Sequence, residues 1–331
     1  MAVNLPPQYH DAEARYRKAQ TLEDKLLALK EMWVLLPKHK ASEKVQADLK
    51  SKISELTDQI EQAQAGPKKV PHGVFKIPRQ GAGTVVLVGP PNAGKSQLLT
   101  QLTKATPAVA PYPFTTREPI PGMMDYEDVR VQLIDLPPIT SDHYEPFITD
   151  ITRAADAALL FLDLSDDDGP AATQAVIDRL QRARRELVAP GSPPSDDPAV
   201  YAIPTLLVAN KCDDDAADIR LELAREEFAS RFPLVVVSAQ RGDGLAELRR
   251  AIFQALGVMR IYTKQPGRPA DLTSPFTLPM GSTVADLAGK IHRDLEDRVK
   301  SARVWGTGVH DGQTVGRDHV LHDKDIVELH T

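Results

Sequence analysis

The 331-residue chain is 42% hydrophobic and 26% charged, with a net charge of −6, the proportions of an ordinary globular protein rather than a disordered or fibrous one. No run approaches the ~18 uninterrupted apolar residues of a membrane helix, and MAVNLPPQYHDAEARYRK lacks the apolar core of a signal peptide. A single cysteine, Cys212, rules out an intrachain disulfide, so a reducing, cytoplasmic location is expected.

The first 80 residues hold 14 Lys+Arg against 10 Asp+Glu. Such a basic front on an acidic body fits either a nucleic-acid or ribosome contact or a solvated helical face. Thr21-Leu-Glu-Asp24 reads as a capping box opening a helix that Pro37 stops. Leu22, Leu26, Leu29, Trp33 and Leu36 form its apolar stripe. A second helix, capped by Ser42, carries Val45, Leu49, Ile53, Leu56 and Ile60 at helical spacing. The two predict a helical hairpin over residues 1–64, with Lys44, Lys50 and Lys52 on its opposite face and a Pro/Gly-rich linker at 65–82. Residues 83–258 then change pattern. Apolar runs at 84–88, 129–135, 157–164, 204–210 and 233–239 alternate with helical patterns at 95–104, 171–187, 216–230 and 244–256. That alternation predicts an α/β domain with a parallel sheet covered by helices on both faces. In residues 259–331, strand-like runs flank one predicted helix capped by Thr283 and carrying Val284, Leu287, Ile291, Leu295 and Val299, which is a small α+β domain.

The chemistry sits in the middle domain. Gly89, Pro90, Pro91, Asn92, Ala93, Gly94, Lys95 and Ser96 spell GPPNAGKS between a predicted strand and a predicted helix, with Gln97 next, which is the context of a phosphate-binding loop. Gly94 lets the backbone close on a phosphate, and successive N–H groups at the helix start supply positive potential. Lys95 reaches the β- and γ-phosphates, and the Ser96 hydroxyl suits Mg²⁺. Asn210, Lys211 and Asp213 form NKCD at a strand end. An aspartate there accepts two hydrogen bonds from guanine, a donor pair that adenine lacks. Lys211 can lie along the base, and Ser238-Ala239 can offer a backbone N–H to the guanine oxygen. In Tyr112-Pro-Phe-Thr-Thr116, Thr116, with Thr115 adjacent, is the expected second hydroxyl on Mg²⁺. Asp135 closes a strand and is expected to hold the metal through water.

In this order the motifs resemble the Obg-like GTPases, and most closely the developmentally regulated GTP-binding protein branch. HKASEKVQADLKSKISEL is similar to that branch's helical N-terminal region. IYTKQPGRP, SARVWG and VGRDHVLHDKDIVELH are similar to its C-terminal TGS domain, a ubiquitin-like β-grasp. The resemblance implies GTP/GDP and Mg²⁺ binding, slow hydrolysis, and ribosome or RNA association through the outer domains. It also implies a K⁺ requirement, with Asn92 matching the asparagine that holds K⁺ in cation-dependent relatives. Lys95, Thr116 and Asp135 are then the expected catalytic set.

Three features depart from the family pattern. Asp135-Leu-Pro-Pro138 stands where Asp-x-x-Gly is usual, and proline has no N–H for the γ-phosphate. ITSDHYEPF replaces the glycine-rich stretch that follows. The spacing from Asp135 to Asn210 leaves no room for an inserted subdomain. Ile139 occupies the place of a water-orienting glutamine, where an apolar residue is usual for the family, so any hydrolysis must recruit another group. Two functions follow, a regulatory GTPase or a nucleotide-binding adaptor that scarcely hydrolyses. An ATPase is disfavoured by Asp213.

Overall fold

In the computed structural model, residues 7–19, 22–36, 49, 52–53, 77–103, 118–193 and 195–330 are described. The chain divides into two compact units, Met1–Gly73 and Val74–Thr331. Among the described residues no helix is long and apolar enough to cross a membrane.

The first unit holds α1 (Pro7–Lys18) and α2 (Leu22–Leu35). The expected helix before Pro37 is α2, and its Leu29 and Met32, with Leu36 just after it, pack with Tyr9 and Ala12 of α1. The sequence reading missed α1, although Tyr9, Ala12 and Tyr16 recur at i, i+3 and i+7. Of the second expected helix, Leu49, Lys52 and Ile53 are helical, and Leu49 joins the same cluster. Ser42, Lys44, Val45, Lys50, Leu56 and Ile60 lie outside the described residues.

The second unit opens on a sheet of β1 (Thr84–Val88), β2 (Ile120–Tyr126), β3 (Val129–Asp135), β4 (Ala157–Asp163), β5 (Arg185–Val188), β6 (Tyr201–Asn210) and β7 (Leu234–Val236). Its order is β2-β3-β1-β4-β6-β5, with β7 also on β6, and every pairing is parallel except the β2–β3 hairpin. The helices are α3 (Lys95–Leu102), α4 (Phe147–Ala154), α5 (Gly169–Arg182), α6 (Ala217–Phe228) and α7 (Leu245–Ala255). Successive strand residues feed opposite cores. Val86, Val88, Leu160 and Leu162 pack on one face, and Val85, Leu87, Leu159 and Phe161 on the other. With both faces covered, the strands need to be apolar throughout.

Three local expectations are corrected. The helix expected to run to 187 stops at Arg182, and Arg185–Val188 becomes β5 beside Tyr201–Pro204, because Arg184 turns the chain at φ 57°. β2 and α4 went unread, β2 because IPGMMDY is only partly buried at a sheet edge and alternates weakly. The nominal linker ends on the sheet, where Gly81 bridges Val131 and Arg79 pairs with Asp156.

The chain ends in a sheet of order β11-β10-β12-β8-β9: β8 (Val258–Thr263), β9 (Asp271–Pro279), β10 (Ser301–Trp305), β11 (Gln313–Gly316) and β12 (Asp325–His330). It packs on α8 (Val284–Ile291) through Met259, Ile261, Val284 and Leu287. Thr283 and Asp286 form a reciprocal capping box. The single expected helix is in fact two, α8 and α9 (Arg293–Arg298), because His292 is extended at φ −158° and starts α9 with its ring accepting from the Asp294 N–H.

Candidate nucleotide-binding site

Strand register brings the predicted residues to one edge of the sheet. Leu87 pairs with Asp135 and Asp163 with Asn210, so the C-terminal ends of β1, β3, β4 and β6 align, where open α/β sheets bind ligands.

Gly89–Ser96 joins β1 to α3. Gly94 caps α3 at φ 86°, with no side-chain hydrogen bond to the helix end. The first N–H to find an intrahelical carbonyl is Leu98, bonded to Gly94 O at 2.9 Å. The earlier N–H groups of the first turn have no carbonyl partner by the geometry of a helix start, which suits them to an anion. Asn92 is also left-handed, φ 60°, and exposed, as is Gln97. The Lys95 ammonium folds back onto Gly89 O at 3.1 Å and Pro90 O at 2.9 Å. Burial pushes its pKa down to about 8, against the pull of Asp135.

Asp135 is fully buried. Its Oδ2 accepts the Ser96 hydroxyl at 2.5 Å, while its Oδ1 has no hydrogen-bond partner among the described residues. Burial raises its pKa more than the Ser96 hydrogen bond and Lys95 lower it. An orphaned carboxylate oxygen beside a hydroxyl at a phosphate loop is a donor set suited to hydrated Mg²⁺. Thr115 and Thr116 lie outside the described residues.

On the base side, Asp213 Oδ1 is likewise buried without a partner. A hydrogen bond from the Ser238 side chain holds this carboxyl below its usual range. That is the acceptor a guanine N1–H requires. Asn210, read from sequence as part of the base site, is fully buried and spends its amide within the protein. It donates to Ala93 O at 2.9 Å and accepts from the Ala239 N–H at 3.0 Å, tying the phosphate loop to the Ser238-Ala239 loop. Of the Ser238-Ala239 backbone, expected to offer an N–H to the guanine oxygen, the Ser238 N–H donates to Asp243 O at 3.1 Å and the Ala239 N–H to Asn210, so both are engaged within the protein. Lys211, left-handed at φ 66°, reaches Asp163 Oδ2 at 2.5 Å and Ser165 Oγ at 3.1 Å. Asp163 and Ser165, which fix that lysine, were missed. An aspartate ending an otherwise apolar strand was the available signal.

The 50S ribosome-binding GTPase family model matches residues 84–211 and the TGS domain model matches 259–331. Developmentally-regulated G-protein 1 of Arabidopsis thaliana is 28% identical, covering 88% of this chain and 87% of that protein. Ribosome-interacting GTPase 1 of Saccharomyces cerevisiae is 26% identical over 93% of this chain and 99% of its own. The YchF GTPase of Schizosaccharomyces pombe shares the fold, with TM-score 0.55 and 14% identity, over 76% of this chain and 99% of that one. The chain belongs to the Obg-like GTPases, in the developmentally regulated branch with a C-terminal TGS domain. The yeast alignment runs over 367 residues, longer than the 331-residue chain itself, in keeping with an inserted segment that this Obg-like GTPase lacks.

The second switch of this GTPase departs from Asp-x-x-Gly in its bonding as well as its sequence. The Leu136 N–H donates to Leu87 O at 3.3 Å, Ile139 to Gly89 O at 3.1 Å and Thr140 to His143 O at 3.0 Å. Pro137 and Pro138 have no N–H. Every backbone N–H from Leu136 to Thr140 is thus engaged or missing. Ile139 is fully buried in the core against Leu136 and Ile148, so it cannot orient water and instead pins the segment to the phosphate loop.

Lys95 gives a pH test. Phosphate favours the charged ammonium, so its pKa rises in the complex. Below about pH 8 the lysine already carries its proton. Above it, each nucleotide bound takes up a proton, and GTP affinity falls by up to about tenfold per pH unit. Titration calorimetry at pH 9 in two buffers of different ionisation heat should register that uptake; equal heats would exclude it.

Proposed function

We propose that this protein is a GTP-hydrolysing regulator that works on the ribosome or RNA, using its outer domains to hold the partner. The partnerless Asp135 Oδ1 beside Ser96 carries the reading. No described residue fills it, and leaving it unmet would cost about 1–3 kcal/mol. Ser96 and Asp135, with Thr116, would hold Mg²⁺, which neutralises charge on the β- and γ-phosphates. Gly89–Gln97 cradles the phosphates and Lys95 swings from Gly89 O and Pro90 O onto the γ-phosphate. Asp213 selects guanine, with Lys211 and the Ser238-Ala239 loop bordering the base pocket. Asn92 would hold K⁺ at the place where charge develops, since neither Ile139 nor any neighbouring backbone N–H can serve. The division at residues 64, 82 and 258 would separate partner-holding helices, catalytic body and TGS domain. The ribosomal reading draws support from the family description and from the name of the yeast relative.

A second reading has its own observation. With every N–H from Leu136 to Thr140 engaged or missing, the second switch has no backbone contact to gain from a γ-phosphate. GTP and GDP would then hold the protein in one state, making it an adaptor with nucleotide as a structural ligand. Single-turnover phosphate release with Mg²⁺, in K⁺ and in Na⁺, separates the two. The GTPase reading expects release several-fold faster in K⁺ and loss of that difference in Asn92→Ala. No release in either salt, from protein that binds GTP tightly, would leave the adaptor.

A further inference from the structure

Among the described residues the two sheets of the second unit share no apolar cluster. The TGS cluster contains only residues from Met259 onward, and the clusters on the larger sheet stop before it. At the centre of the joint between them is one arginine, its guanidinium 5.0 Å over the Phe253 ring of α7. Arg260 of β8 is 4% exposed. Its Nε and Nη2 clasp Asp323 of the TGS domain at 3.1 and 2.6 Å. Its Nη1 reaches out of the domain to Glu127 at 2.5 Å and Asp128 at 3.0 Å, the turn between β2 and β3. The Tyr262 hydroxyl donates to the same Asp128, and Lys324 pairs with Glu127 at 3.0 Å. Glu127 and Lys324 are both left-handed, φ 47° and 71°, a conformation with a steric cost for residues other than glycine. Beside the joint lies a cleft of about 460 Å³, lined in part by Asp125, Glu127, Arg130 and Thr273.

Three TGS donors, Arg260 Nη1, Tyr262 Oη and Lys324 Nζ, therefore converge on two carboxylates supplied by a single turn of the other domain. Asp323 grips the opposite side of the guanidinium, so Arg260 stays oriented whether or not the turn is there. Planar guanidinium groups recognise carboxylate and phosphate by the same geometry. Met259 and Ile261 point into the TGS core, which puts Arg260 and Tyr262 on the opposite face. On that face Tyr262, Ile326 and Trp305 lie in one cross-strand row, and the Lys264 ammonium sits 4.3 Å over the Trp305 ring. Cations interleaved with aromatic rings fit an RNA strand, whose backbone is anionic and whose bases stack.

We propose that this face of the TGS domain is an RNA-backbone-binding surface that the Glu127–Asp128 turn holds closed. Release of the turn hands Arg260, Tyr262 and Lys324 to RNA phosphates. The inference rests on the RNA-associated reading above and deepens it by naming the surface. Ion pairs carry most of the joint and the Phe253 ring under Arg260 is its apolar element, so salt weakens it.

The test is fluorescence anisotropy of a labelled oligouridine with the full chain at low salt, alongside small-angle scattering to report domain release. Neutralising the turn with Glu127→Gln and Asp128→Asn should enlarge the radius of gyration. It should tighten RNA binding on the order of tenfold and steepen its salt dependence. Glu226→Gln with Glu227→Gln, exposed on α6, makes the same change in net charge and should give no gain. Adding Arg260→Met to the turn variant should abolish the gain, and adding Tyr262→Phe should reduce it while leaving the Asp323–Arg260 clasp in place. A turn variant that binds RNA no better than the charge-matched control overturns the proposal, as does a gain that survives Arg260→Met. Wild-type binding without the gain would sink this inference alone. No binding by any form would sink the RNA reading itself.

Discussion

Asp213→Asn is expected to turn a guanosine-triphosphate binder into one that prefers xanthosine triphosphate. The wild-type carboxylate is kept ionised by the Ser238 side chain, and its buried Oδ1 has no partner among the described residues. Guanine offers it two donors, N1–H and the exocyclic amine. An asparagine amide would set an N–H against one of them, so the site loses a bond and gains a repulsion. Discrimination built on unpaired buried polar groups is strong, and GTP affinity should fall by about a thousandfold, about 4 kcal/mol. Xanthine carries an oxygen in place of that amine and satisfies the new donor. Titration of fluorescent GTP and XTP into wild type and variant checks both halves. Unchanged GTP affinity would mean that Asp213 does not read the base.

Gly94→Ala should damage binding and stability together. The residue sits at φ +86°, and an added Cβ would lie 2.2 Å from Asn210 Nδ2, far inside van der Waals contact. The amide would have to leave Ala93 O, and with it goes the link from phosphate loop to Ser238-Ala239 loop. Left-handed strain of about 1 kcal/mol adds to about 1–3 kcal/mol for the broken buried hydrogen bond. The variant should melt several degrees lower and bind GTP about a hundredfold more weakly. Gly191→Ala is the comparison. Its φ is +83° with nothing within 4 Å of the added Cβ, so only the strain is felt. Equal losses in the two variants would refute the steric argument at Gly94.

Much of the molecule is legible in its residue order because the chemistry is local. GPPNAGKS is a loop whose glycines, lysine and serine act within eight consecutive residues. The near-continuous apolar runs mark strands covered on both sides, as the two cores confirm. Two strands escaped reading because they are weakly patterned. β2 lies at an edge with a mixed burial pattern, and β5 spans only four residues. His292 breaks an otherwise regular helical stripe by an extended backbone that periodicity does not register.

The sequence by itself determined the nucleotide class, the order of domains and the loss of an N–H donor at Pro138, because each follows from residue types at fixed local spacing. Only the tertiary structure decided that Asn210 serves as a cross-link and that Ile139 is pinned to Gly89. The same holds for Arg260, whose partners Glu127 and Asp128 lie more than 130 positions away. Hydrogen bonds across such distances depend on which strand ends and turns the sheet register brings together, and no window of sequence carries that.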